Sequence, residues 1–259
     1  MGELINIDHL SYTYKCLEGD ILALRDVSFH VMEGEIVAII GPGDCGKSTL
    51  LSLIAGFLTP TGGTISINGV HTLASGKSIG YMLQKDQLPD CHNILKSVNL
   101  SPEIQYKLSN HSYVQINEHF NAYGLITFIN SHPSGLEEGA RQRTTLMRTL
   151  LLEPDILLLD EPFIDLDYGT RMKTADDIWN ILRKEKKTTL LITHDIAEAV
   201  SFSDRIIVLT SHPGTVKQIF DIKLSLMNQT PSIARSAPEF EEYSYQVWNA
   251  LNHEDFANI

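Results

Sequence analysis

Apolar and polar positions alternate along Ile5 to Leu10 and again along Val27 to Val31. A period of two belongs to strands with one buried face, so residues 4 to 32 are expected to form antiparallel strands around a turn at Glu18-Gly19-Asp20. The pattern then changes. Ile36 to Ile40 is an apolar, strand-like run, and beyond Gly41 to Thr49 a helix-like run passes through Leu50, Leu51, Leu53 and Ile54. Thr64 to Gly69 (TISING) predicts a short strand closing in an Asn-Gly turn, a strong hairpin signal. Ile79 to Leu83 predicts another strand, which stops at Gln84.

From Pro89 to about Gly135 long apolar runs give way to Asn, Ser, His and Tyr, with short amphipathic pieces at Ile94 to Leu100 and Glu118 to Ile129. This texture reads as an inserted, mostly helical subdomain that spans about residues 89–152 with the helix that follows it. That helix, Gly139 to Leu152, repeats Leu146 with Leu150 and Met147 with Leu151 at i, i+4 and leaves its arginines on the other side. Ile156 to Leu159 is a buried strand ending in Asp160-Glu161-Pro162, a helix is expected from about Arg171 to Lys184, and Thr189 to Thr193 is a strand ending in His194-Asp195. With a further strand at Arg205 to Leu209, the order β, α, β, α, β predicts a largely parallel sheet covered by helices, an α/β fold. Residues 211 to 214 turn into a last strand pair, 228 to 238 read as a loop, and Pro238 to Leu251 as a terminal helix with Phe240, Tyr243, Val247 and Leu251 facing inward. The expected organisation is one domain over 1–228 and a C-terminal loop and helix, 229–259, packed on its core.

The segment between the first buried strand and its helix carries the chemistry. Gly41, Pro42, Gly43, Asp44, Cys45, Gly46, Lys47, Ser48 and Thr49 form GPGDCGKST, and strand, GxxxxGK[ST], helix is the context of a phosphate-binding loop. Glycines let backbone N–H groups curl around a polyphosphate, Lys47 neutralises its outer phosphates, and the Ser48 hydroxyl can reach Mg²⁺. ATP is the expected ligand. The carboxyl ends of parallel strands line one crevice, so Gln84, Asp160, Glu161 and His194 should converge there with Lys47. Asp160 can hold Mg²⁺ directly or through water, Gln84 can complete the metal shell, Glu161 can accept a proton from the attacking water, and His194 can contact the γ-phosphate. Tyr12 and Tyr14 offer an aromatic that either stacks on adenine or sits at a core edge.

Composition narrows the partners. With 20 basic and 32 acidic residues among 259, the formal charge of −12 argues against a nucleic-acid binder that works by phosphate neutralisation. No apolar run approaches the roughly 18 to 20 residues that span a bilayer, and no signal-peptide pattern opens the sequence, so any membrane work is expected to pass through a partner. Cys16, Cys45 and Cys91 have no metal-ligand spacing and read as reduced cytosolic thiols; Cys45, inside the loop, can report on its occupancy.

Taken together, GPGDCGKST, YMLQKDQ (Tyr81 to Gln87), RQR (Arg141 to Arg143), ILLLDEPFIDLD (Ile156 to Asp167) and LLITHDIAEA (Leu190 to Ala199) resemble the ATP-binding cassette ATPases over nearly the whole chain. The wording of YMLQKDQ and THDIAEA looks most like the nitrate, sulfonate and taurine importer branch. The resemblance implies a P-loop NTPase core with an antiparallel β subdomain and an inserted α-helical subdomain. It implies a subunit on the inner face of the cell membrane that dimerises head to tail around two ATP molecules and drives polytopic permease subunits, with a substrate-binding protein involved indirectly. By it, Tyr14 corresponds to the adenine-stacking aromatic, Gln84 to the switch glutamine, Glu161 to the catalytic base and His194 to the switch histidine. The region after Gln84, to about Leu100, corresponds to the groove for the permease.

Three departures stand out. The family signature, LSGGM or LSGGQ, reads here Leu136, Glu137, Glu138, Gly139, Ala140. In the family its serine and glycine amides cap the γ-phosphate bound to the opposite subunit, so Glu137 places a carboxylate where a donor belongs; at about 4 Å and an effective dielectric of 20, each like charge costs on the order of 4 kcal/mol. Asp44 stands where glycine is usual, and about 8 Å from the phosphates its charge costs on the order of 2 kcal/mol. IDLD, Ile164 to Asp167, keeps the last aspartate of the family's SALD turn but not its serine. These changes predict a weakened ATP sandwich, in a homodimer or beside a different ATPase, and leave open a regulatory subunit with little turnover.

Overall fold

The two hydrophobic periods of the sequence build two different sheets in the computed structural model, which describes residues 2–17, 19–71, 78–83, 88, 90–98, 120–121, 123–164, 166–226 and 229–252. The alternating segments form β1 (Glu3–Tyr14) and β2 (Ile21–Met32), which pair antiparallel. With β4 (Gly62–Ile67) and β5 (Val70–His71) they make a sheet of order β2-β1-β4-β5. The β4–β5 turn has φ of 57° at Asn68 and 74° at Gly69, the two positive values that a tight Asn-Gly hairpin turn requires.

The unbroken apolar runs form the second sheet: β3 (Ile36–Ile40), β6 (Ile79–Met82), β7 (Ile156–Asp160), β8 (Thr188–Ile192), β9 (Arg205–Leu209) and β10 (Val216–Asp221), in the order β10-β9-β3-β8-β7-β6. Only β10 runs antiparallel to its neighbour. Every residue of β3, β7 and β8 is buried, because helices or the antiparallel sheet cover both faces. Among the described residues the helices with defined bounds are α1 (Lys47–Ile54), α2 (Glu138–Leu150), α3 (Tyr168–Glu185), α4 (Ile196–Phe202), α5 (Pro231–Ala234) and α6 (Phe240–Asn252). Among the described residues no helix is long and apolar enough to cross a membrane.

Strand alternation sorts the core. Val37 and Ile39 face the antiparallel sheet and α1, packing with Leu10, Leu24 and Leu51. On the opposite face, Leu157, Leu159 and Leu191 pack with Met147 of α2 and Ile178 of α3, and Ile94, Val98, Phe120 and Leu125 join the same cluster. The described part of the insertion therefore shares its core with α2 and α3. Ala38, Ile40 and Val208 meet Val200 of α4, Ala234 of α5 and Val247 of α6.

Several boundaries depart from the sequence reading. Helix α3 starts at Tyr168, earlier than the expected Arg171, because the Asp167 carboxylate accepts hydrogen bonds from the amides of Gly169 and Thr170 at 3.1 and 3.2 Å. The expected loop at 228 to 238 contains α5, which begins at Pro231, where a missing N–H goes unused. In α6, Val247 is fully buried, whereas Phe240, Tyr243 and Leu251 are only partly so. Residues 94–98 of the first amphipathic piece are helical, and most of the second lies outside the described residues.

Candidate functional site

Register brings the carboxyl ends of three strands level. Ile39 of β3 lies beside Ile192 of β8, and Ile192 beside Asp160 of β7. The residues that follow each strand consequently meet at one edge of the sheet.

After β3 the chain turns through Gly41 to Gly46 into α1. Gly46 has φ 95°, and a Cβ there would lie 2.7 Å from the Leu24 side chain; one on Gly41 would lie 2.6 Å from Cys45 Sγ. Both positions need glycine. Asp44 occupies the left-handed region at φ 57°, which aspartate tolerates better than most residues, so the loop forms despite the substitution. Lys47 folds back over the loop, donating from Nζ to the carbonyls of Gly41 and Pro42 at 2.9 and 2.8 Å. Cys45 is fully buried, and that burial pushes its thiol up. A thiol so enclosed is not open to direct attack, which corrects the expectation that it reports on the loop's occupancy.

The loop floors a cleft of about 520 Å³ whose walls include Tyr14, Asp44, Lys47, Ser48, Glu161 and His212. Of the two candidate aromatics, Tyr12 packs at the edge of the core and meets Tyr14 edge to face at 4.8 Å. Tyr14 reaches the cleft, its hydroxyl 3.0 Å from Thr49 Oγ1.

Asp160 ends β7 inside the sheet. Burial pushes its carboxyl up; hydrogen bonds from the Ser48 and Tyr81 hydroxyls and the charge of Lys47 pull the other way. Tyr81, enclosed and facing that carboxylate, is itself pushed up to about 12. The Ser48 hydroxyl and the Asp160 carboxylate thus sit together as two hard oxygen donors. Glu161 has φ 49°, uncommon for a residue with a side chain, and its amide donates to Ile192 O at 3.0 Å. Its Oε2 accepts from His194 Nδ1 at 2.6 Å, the imidazole more than half exposed and the carboxylate mostly covered. Asp195, next in sequence, caps α4 by accepting from the Glu198 amide at 3.1 Å and pairs with Arg171 of α3 at 3.3 Å. Gln84 and Asp165 lie outside the described residues.

The segment Leu136 to Ala140 runs into α2. Leu136, Gly139 and Ala140 are buried, and a Cβ on Gly139 would meet Thr170 Cγ2 at 2.7 Å and Thr174 Oγ1 at 2.8 Å. Glu137 is the N-cap residue, exposed and with no side-chain capping bond, and Glu138 stands 4.0 Å from Arg141.

His212 is a cleft residue that sequence reasoning missed, having assigned 211 to 214 only a turn; Ile21 and Ala23 of β2 are others. The signal for His212 was available: it follows β9, a parallel strand beside β3, and falls under the same strand-end rule that singled out Glu161 and His194.

Comparison with known proteins agrees with this arrangement. A family model described as ABC transporter matches residues 24–164. An uncharacterised ABC transporter ATP-binding protein, YtlC of Bacillus subtilis, is 37% identical over 248 residues, covering 96% of this chain and 95% of that protein. The nitrate import ATP-binding protein NrtD of Synechocystis is 32% identical over 251 residues (95% and 94%), and the taurine import protein TauB of Pelagibacter ubique 31% over 256 residues (96% and 96%). Among solved structures, a dimeric post-hydrolysis state of the ATP-binding cassette MJ0796 bound to ADP and Pi matches with a TM-score of 0.72 at 28% identity, covering 85% of this chain and 99% of that one. Phosphate loop, strand-end carboxylates and histidine lie on the fold those cassettes share, and the chain belongs to the ABC transporter family as an ATP-binding, ATP-hydrolysing subunit.

Proposed function

We propose that this chain energises an importer from the inner face of the membrane, hydrolysing ATP with Glu161 as general base and His194 as the phosphate-sensing switch, and that its closed dimer is weakened by Glu137. The observation that carries the catalytic reading is the 2.6 Å contact between Glu161 and His194 at the edge of the phosphate-loop cleft. A carboxylate placed there can accept the proton of an attacking water. With Nδ1–H donated to Glu161, the imidazole carries a second N–H, on Nε2, only as imidazolium; in its neutral form it must release Glu161 before it can donate to a phosphate oxygen. Nucleotide arrival thereby frees the base as it engages the switch.

Ser48 and Asp160 are the residues that would hold Mg²⁺, and their paired oxygens suit a hard cation; Gln84 is the third ligand expected of the motif. When bound, the ion neutralises charge on the transferring phosphoryl group. Lys47, now on the Gly41 and Pro42 carbonyls, is placed to exchange them for phosphate oxygens.

The importer reading draws on relatives named for nitrate and taurine import. A permease contact around the segment after Gln84 is supported by neighbouring apolar exposure: Phe57 is 70% exposed and stacks on Tyr81, and Leu83 is 50% exposed. The weakened sandwich follows from Glu137, at the helix N-terminus that would face the partner's γ-phosphate. A second reading, a regulatory partner with little turnover, is favoured by that same residue together with Asp44. Steady-state ATP hydrolysis by the wild type and by the E137S/E138G double variant separates the two. A latent motor gains on the order of tenfold or more, a regulatory subunit gains nothing, and wild-type turnover already matching a cassette with an intact signature would refute the weakening.

A further inference from the structure

The loop between β9 and β10 is held rigidly against the nucleotide site. Thr210 and Thr215 close its base, with Thr210 N donating to Thr215 O and Thr215 N to Thr210 Oγ1, both at 3.0 Å. Gly214 then stitches it to β2: its amide donates to Ala23 O, and its carbonyl accepts from Arg25 N, each at 2.9 Å. On its other side Gly214 touches the phosphate loop itself, where a Cβ would fall 2.1 Å from the Cys45 carbonyl oxygen. A loop fixed to both walls of a cleft presents its tip in a defined place. That tip is His212, exposed and lining the cleft with Asp44 and Lys47.

Charge gives the imidazole a task. The carboxylates on these walls are Asp44 and Glu161, and the basic side chains are Lys47 and His212. Glu161 is directed to His194, which leaves Asp44 opposing an incoming polyphosphate with Lys47 to counter it. The His212 imidazole forms no hydrogen bond or ion pair with another described residue, so its donor is available to a ligand. The backbone contact of Gly214 with Cys45 anchors the loop beside the phosphate loop two residues from His212.

We propose that His212 is a further nucleotide-binding residue, donating from its imidazole to the phosphate tail of the bound nucleotide. The inference rests on the nucleotide site and is independent of permease coupling. Calorimetric titration of the full chain with ATP, ADP and adenosine tests it. H212A is expected to weaken ATP and ADP by about 5- to 10-fold and to leave adenosine unchanged, since only a donor to the anionic phosphates is removed. H212R, which places another N–H donor at the same position, should recover ATP binding to within about twofold. The side chain is exposed, so thermal melting of both variants should match the wild type. Unchanged ATP and ADP binding by H212A overturns the proposal. Equal weakening of adenosine also overturns it, by assigning the residue to the base or the sugar.

Discussion

The phosphate loop and the entry to α2 are the same kind of construction, a glycine-bearing turn feeding a helix whose free N–H groups favour an anion. They differ in what the chain itself demands of them. At the phosphate loop the glycines at 41 and 46 are enforced by Cys45 and Leu24, and Lys47 is tied to two carbonyls, so the chain's own packing holds the site in shape. At the entry to α2 only Gly139 is enforced, by Thr170 and Thr174 of α3; positions 137 and 138 are not buried, and both carry carboxylates. The IDLD turn divides in the same way. Asp167 is needed to cap α3, while Ile164 replaces a serine whose expected role is contact with another subunit. Gly41, Gly46, Gly139 and Asp167, each held by a contact within this chain, match the family pattern, whereas Glu137, Glu138 and Ile164 depart from it, as does Asp44 inside the loop itself.

The largest expected effect lies at the cleft. E161Q keeps the shape of the side chain and removes the base, so single-turnover hydrolysis should fall by about 10²-fold or more while ATP affinity stays within a few-fold. Comparable turnover would move the active chemistry away from this side and undo the contrast. Beneath the His194 turn, Glu198 offers the next test. Burial and the Asp195 charge push its carboxyl up to about 8 from 4.5, with Arg171, Thr193 and Arg235 opposing. Between those two values the unfolded chain releases a proton that the folded chain keeps, so stability falls as pH rises, by an order of magnitude of a few kcal/mol at pH 8. E198Q removes that dependence: its melting temperature should drop less than the wild type's between pH 5.5 and 8.5, and parallel curves would show that the carboxyl ionises freely in the fold.

On the other side of the comparison, G139A forces a methyl group against Thr170 and Thr174 and should destabilise the chain by about 1 to 3 kcal/mol in denaturant titration. If G139A were as stable as the wild type, Gly139 would have to be explained by assembly, as its neighbours are. The smallest effect is expected from D44N, which keeps a residue tolerant of φ 57° and removes its charge. ATP binding should tighten by about 3- to 10-fold in a fluorescence titration, given a Coulomb cost on the order of 2 kcal/mol that solvent screens. No tightening would mean that the carboxylate is already neutralised within the cleft.

Much of this was legible before any coordinates. Periods of two at Ile5 to Leu10 and unbroken apolar runs at Ile36 to Ile40 and Ile156 to Leu159 separated the antiparallel sheet from the parallel one, because burial on one face or on both leaves different traces in a strand. GPGDCGKST announced its own local geometry, since a phosphate loop depends on glycine spacing over a few residues. Helix starts were less legible: the Asp167 cap that draws α3 back to Tyr168 acts through a side-chain bond that hydrophobic period does not record.

What the sequence determined by itself was therefore everything that depends on near neighbours: strand type, the phosphate loop, the residues standing at strand ends. Tertiary structure alone decided which of them touch. The pairing of Glu161 with His194, the burial of Cys45 and the arrival of His212 at the cleft all depend on the β9-β3-β8-β7 order and its register. Such contacts join residues far apart along the chain, and their closeness is set by how the sheet is assembled, which no single stretch of sequence contains.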